Sequence, residues 1–154
     1  MDELLRSDEA PLLADLTSPD PNARSRAAVA LHRLGSPHAL AACLSTLDDA
    51  PDSLHSDHTP SVQCLIEIGE PALSPLIGRL QSENQITRIH AERAIQGITR
   101  RHFGFDGTAW PDGALERWME WWSGLGLDIS TDATERVRGI EQLRAAVAGW
   151  GSRG

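Results

Sequence analysis

Apolar residues recur at three- and four-residue intervals along most of the chain, and this spacing predicts helices in place of strands. The first, over about residues 9–17, carries Leu12, Leu13 and Leu16 on one edge, with Pro11 in its opening turn where a missing N–H does no harm. It ends at Thr17-Ser18-Pro19. Pro19 and Pro21 around Asp20 form a stiff turn, after which Asn22 is placed to cap a second helix that runs to about Leu34 and buries Ala27, Leu31 and Leu34. Gly35 stops that helix.

The same order then restarts. A second unit opens at Ser36-Pro37, continues through Leu40, Leu44 and Leu47, crosses a polar stretch from Asp48 to Thr59, and closes on Val62, Leu65, Ile68 and Gly69. A third opens at Pro71, runs through Leu73, Leu76, Ile77 and Leu80, turns at Gln81 to Asn84, and closes on Ile89, Ala91, Ala94, Ile95 and Ile98. Leu34-Gly35 and Ile68-Gly69 are 34 residues apart, while Leu31 and Ile95 are 64 apart. Self-similarity at such a period marks stacked two-helix units, each too small to bury its apolar edge alone.

Residues 11–35, PLLADLTSPDPNARSRAAVALHRLG, resemble a HEAT repeat: a short apolar helix, a turn with Pro and Asp, an Arg soon after, and an Ala-rich second helix ending Leu-Gly. Residues 71–99 repeat the pattern with Arg88 where Arg24 stood, while the middle unit departs from it through its long polar loop. The resemblance covers about residues 9–100 and implies an all-α fold, a right-handed α–α superhelix of about three hairpins. Residues 101–154 are expected to cap it, the whole forming one domain. FGFDGTAW…ERWMEWW looks like the tail that follows the last repeat in small bacterial HEAT proteins. Its helix carries Leu115, Trp118, Met119 and Trp122 at core spacing; a last helix, about 132–148, opens with the capping-box pair Asp132 and Glu135 and presents Val137, Ile140, Leu143 and Val147.

This architecture implies a rigid concave face lined by second helices, suited to holding a protein partner. On that face the expected contacts are Arg26, Arg33, Glu92, Arg93 and Gln96. The leading reading is a non-catalytic protein-binding scaffold without a cofactor.

Composition narrows the alternatives. At 154 residues with 40% hydrophobic and 23% charged residues the chain has the makings of a globular domain. The formal net charge of -8 disfavours a nucleic-acid partner, and most of it lies in residues 1–60, which hold ten acids against four bases. All fourteen basic residues are arginine, which excludes lysine Schiff-base and Walker-type chemistry. No apolar run reaches the ~18–20 residues of a membrane span, and the acidic start is unlike a signal peptide, so a cytoplasmic location is expected. Cys43 and Cys64 form no CxxC pair and read as reduced, buried thiols.

Four groups could carry chemistry. His55, Asp57 and His58 are a candidate metal set, set against the bland reading of a polar, proline-flanked loop. HEAT-type iron hydroxylases use adjacent His-Glu pairs, and none occurs here. All seven aromatic residues lie between Phe103 and Trp150; Trp110, Trp118, Trp121 and Trp122 form either a hydrophobic lid or an open pocket for a planar ligand. The open pocket is what a bilin lyase or chaperone-like role would need. A HEAT-like DNA glycosylase would need a basic groove and a catalytic carboxylate, against the acidic charge; Glu116 and Glu120, four apart, equally suit an exposed helix back. Arg24 and Arg88 are expected to serve the repeat itself by binding Asp20 or a turn carbonyl.

Overall fold

The computed structural model describes the backbone of residues 2–47 and 59–150, and the side chains of 9–47 and 59–150. Among these residues all regular structure is helical: α1 (Asp2–Asp15), α2 (Pro21–Arg33), α3 (Ala39–Ser45), α4 (Pro60–Ile68), α5 (Leu73–Arg79), α6 (Gln85–His102), α7 (Ala114–Gly124) and α8 (Ala133–Val147). A 3-10 turn, Glu70–Ala72, leads into α5. The chain divides into two compact units, Met1–Ile68 and Gly69–Gly154.

In the first unit α2 packs against α1, α3 and α4, and α3 against α4. Leu31, Cys43, Val62 and Leu65 are withdrawn from water completely, each aliphatic one contributing about 1.5–3 kcal/mol by burial. The Thr46 and Ser61 hydroxyls satisfy each other at 2.6 Å where α3 ends and α4 begins. Both cysteines are free and buried. The hydrogen bond with Cys64, with burial behind it, pushes the Cys43 thiol well above its ordinary range.

In the second unit α5 packs on α6 and α8, and α7 meets α6. Leu76, Leu80, Ile95 and Leu143 form its fully buried centre. Trp118 seals α7 to α6: its indole Nε1 donates to Thr99 Oγ1 at 2.9 Å and the Arg100 guanidinium lies 4.5 Å over its ring.

The hairpin turn is built twice with the same bonds. Ser18 Oγ accepts from the Asp20 N–H, Asp20 Oδ1 from the Asn22 N–H, and the Ser18 carbonyl from Arg24 Nη1 at 2.6 Å. Sixty-four positions on, Ser82 Oγ accepts from the Asn84 N–H, Asn84 Oδ1 from the Ile86 N–H, and the Ser82 carbonyl from Arg88 Nη1 at 2.7 Å. The expectation that these arginines serve the repeat through a turn carbonyl is met. Counting from the cap, Ala27 and Ala91 are the seventh residues and Leu31 and Ile95 the eleventh, and all four are buried. The sequence Ser130-Thr131-Asp132 before α8 gives a variant of this turn: Asp132 Oδ1 accepts from the Glu135 N–H, three residues on, and Arg136 Nη1 donates to the Thr131 carbonyl, one residue before the cap. Here too the seventh and eleventh residues, Gly139 and Leu143, are buried.

Several sequence expectations need correction. Helix α1 begins at Asp2, so Pro11 lies inside it. Asp20, not Asn22, caps α2, because Pro21 with its fixed φ opens the helix. Leu34, on the last turn of that hairpin, is exposed. On α7 only Trp118 of the expected stripe is buried; Leu115 and Met119 face water, Met119 at 53% exposure. On α8 Val137 is exposed while Arg136 is buried, because Arg136 reaches the side chain of Gln81 at 3.1 Å as well as the Thr131 carbonyl.

Candidate partner-binding surface

Helix α2 turns Ala27, Ala28 and Leu31 into the core. Another side of it, at spacings of three and four, holds Asn22, Ser25, Arg26, Val29, Ala30 and Arg33, and with Pro60 at the start of α4 these line a groove of about 450 Å³. Its floor is small and largely apolar, and Arg26 and Arg33 are both exposed. The sequence pattern pointed to these two arginines. It missed the floor, although the recurrence of Ser25, Val29 and Ala30 on one helix side is visible once the core side is known.

The other three expected contacts lie on α6, in the second unit, and are all half-buried. Glu92 is the eighth residue after its cap, the place that Ala28 fills in α2. Burial, and then the like charge of Asp128, raise its carboxyl above the ordinary glutamate value, with Arg93 opposing. Asp128 itself is held below the usual carboxylate range by the Ser130 hydroxyl and N–H. Above this stripe Arg88 Nε donates to the Ile129 carbonyl at 3.2 Å, so the segment around residue 128 covers part of α6. The positions that correspond to Arg26 and Arg33 are His90 and Gly97, and both are buried.

The tryptophans use their faces on one another. Trp118 stacks with Trp122 at 5.7 Å, Trp121 with Trp150 at 5.5 Å, and Trp110 lies 6.3 Å from Trp118 and 4.9 Å from Phe105. Trp150 closes flat on His102, 3.6 Å between centroids, and His102 Nδ1 is 2.9 Å from Glu70 Oε1. This His102 and Trp150 contact was not foreseen, because the partners are far apart in sequence. A like pair, His32 Nε2 with Glu67 Oε1 at 2.9 Å, joins α2 to α4.

Glu116 and Glu120 are exposed. His55, Asp57 and His58 lie outside the described residues. Among those described, no group of three or more His, Cys, Asp or Glu is arranged to hold a metal ion, and no helix is long and apolar enough to cross a membrane.

The repeated turn, with its capping carboxylate or amide, its arginine on the turn carbonyl and its buried seventh and eleventh residues, agrees with a comparison of sequence families: the family profile of HEAT repeats matches residues 9–96. The chain belongs to the HEAT-repeat family. No curated protein and no solved structure matches it. In HEAT-repeat terms α1 with α2 and α5 with α6 are two matching hairpins, α2 and α6 being their second helices.

Proposed function

We propose that this HEAT-repeat chain is a protein-binding scaffold that does no chemistry and grips its partner through side chains of its second helices. Arg26 and Arg33 on α2, and Glu92, Arg93 and Gln96 on α6, are the contacts assigned to it. The observation that carries the reading is the α2 groove: two arginines expected on the binding side project from one concavity with a small, apolar floor. A groove of that make-up offers a partner both area and orientation. The tryptophans support the same reading, since indole faces stacked on one another and on His102 act as a hydrophobic seal.

The test is affinity capture from the native host with the wild-type chain and with an Arg33→Glu/Arg93→Glu variant, followed by quantitative mass spectrometry. The expected result is a protein retained by the wild type and depleted by about tenfold or more with the variant, as charge reversal at an interface requires. The same proteins at the same abundance on both baits would sink the reading. Quenching of tryptophan emission by a linear tetrapyrrole would favour the planar-ligand alternative instead.

A further inference from the structure

The α2 groove has features that specify its occupant. Arg26 and Arg33 are seven residues apart on one helix, two turns or about 10 Å along its axis. Between them lie Val29 and Ala30, with Ser25 before and Pro60 on the facing bank. Among the described residues neither guanidinium is paired with a carboxylate. Residues 1–60 contain four bases, Arg6, Arg24, Arg26 and Arg33, against ten acids; Arg24 is committed to the Ser18 carbonyl, and Arg26 and Arg33 are the two that line the groove.

We propose that this groove binds an acidic amphipathic helix of a partner protein, one presenting carboxylates at i and i+7 with aliphatic residues at i+3 and i+4 between them. The inference rests on the protein-binding reading above and names the partner's chemistry. The spacing follows from geometry: a helix laid along α2 repeats its own side every seven residues, so its two carboxylates meet the two arginines in register. The carboxylate and guanidinium forks pair well in geometry and charge. The small floor of Ser25, Val29 and Ala30 lets a second helix approach closely, and aliphatic side chains fill the space between the charges. An extended peptide would find few partners there, because the backbone N–H and C=O groups of α2 are spent within the helix, whereas an incoming helix arrives with its own backbone satisfied. A nucleic-acid backbone fits poorly: two arginines neutralise two phosphates, and the remaining phosphates would face a chain of net charge -8.

The experiment is selection of a displayed library of single-helix peptides, randomised at i, i+3, i+4 and i+7, against the full chain and against an Arg26→Glu/Arg33→Glu variant. Both substituted positions are exposed, and retained helical circular dichroism confirms folding of the variant. The wild type is expected to enrich Glu or Asp at i and i+7 and Leu, Ile, Val or Met at the middle positions; the variant is expected to enrich Lys or Arg at i and i+7. A selected acidic peptide, resynthesised with a fluorescent label, should bind the variant about tenfold or more weakly by anisotropy. A Val29→Glu chain, which keeps both arginines and puts a charge on the floor, should lose binding as well. No enrichment, enrichment that the arginine variant leaves unchanged, or tighter binding of a labelled DNA duplex than of the peptide would each overturn the inference. If selection fails while the captured partner still depends on Arg33 and Arg93, the acidic-helix inference falls alone. If selection succeeds and capture shows no dependence on them, the groove's affinity for an acidic helix stands as a property of the chain and the scaffold reading falls.

Discussion

Helices α2 and α6 begin alike and present different outer sides. Both are capped by a residue two after a serine, both place an arginine four residues later on that serine's carbonyl, and both bury a small residue and then a branched one at the same distances from the cap. Six and thirteen residues after the cap they part: α2 holds Arg26 and Arg33 in water, while α6 holds His90 and Gly97 away from it. The contrast teaches that, in this chain, turn and core are copied while the remaining side of each second helix is free to change. The proposed contacts of α2, Arg26 and Arg33, lie on the part that varies.

The comparison can be broken hardest at its shared core. Leu31→Ala and Ile95→Ala each remove a wholly buried side chain and should cost about 2–5 kcal/mol, read by urea unfolding; a much smaller loss at either would show that the two sites are not equivalents. Next comes a turn arginine. Arg88→Met removes bonds to the carbonyls of both Ser82 and Ile129, an expected loss of about 1.5–3 kcal/mol, read by the same unfolding; no measurable loss would mean that this arginine does not hold the turn.

Helix α8 sharpens the comparison because it holds Gly139 where α2 and α6 hold alanine. A Cβ there would sit 2.8 Å from Leu127 Cα, so Gly139→Ala should destabilise by about 1–3 kcal/mol, measured as a lower unfolding midpoint. Smaller and matched effects are expected at the caps: Asp20→Ala and Asn84→Ala should each cost about 1 kcal/mol, and a large inequality between them would count against a common turn.

The smallest effect depends on pH. Glu92 has its folded-state pKa raised, so its ionisation opposes folding, and the penalty grows as pH rises from the unfolded value through the folded one. Glu92→Gln should therefore raise stability modestly at neutral pH and change it little below about pH 4, where the carboxyl is protonated in both states. A variant less stable than the wild type at neutral pH would contradict the assigned direction.

Much of the fold could be read from the residues. The Leu34-Gly35 and Ile68-Gly69 endings, where the glycine backbone takes positive φ, mark hairpin ends that only glycine closes without strain. Leu31, Ile95 and Leu143 were legible as core because spacing alone fixes which residues share a helix side. What spacing leaves open is which of a helix's remaining sides another element covers. Met119 and Val137 are apolar and well spaced yet exposed, and Arg136 is charged yet buried, because the carbonyl of Thr131 and the amide of Gln81 meet its guanidinium. Of the proposed contacts, the exposure of Arg26 and Arg33 could be read from spacing, whereas Glu92 sits where segment 128–129 comes over α6, a contact between residues far apart in sequence.

The position of the indoles gives the chain a built-in optical label. All five tryptophans belong to Gly69–Gly154 and there is no tyrosine, so near-ultraviolet emission is blind to the first unit. Far-ultraviolet ellipticity, by contrast, sums over every helix. Following both signals through one denaturation curve would therefore tell, without any dye or substitution, whether the two halves melt together or in turn.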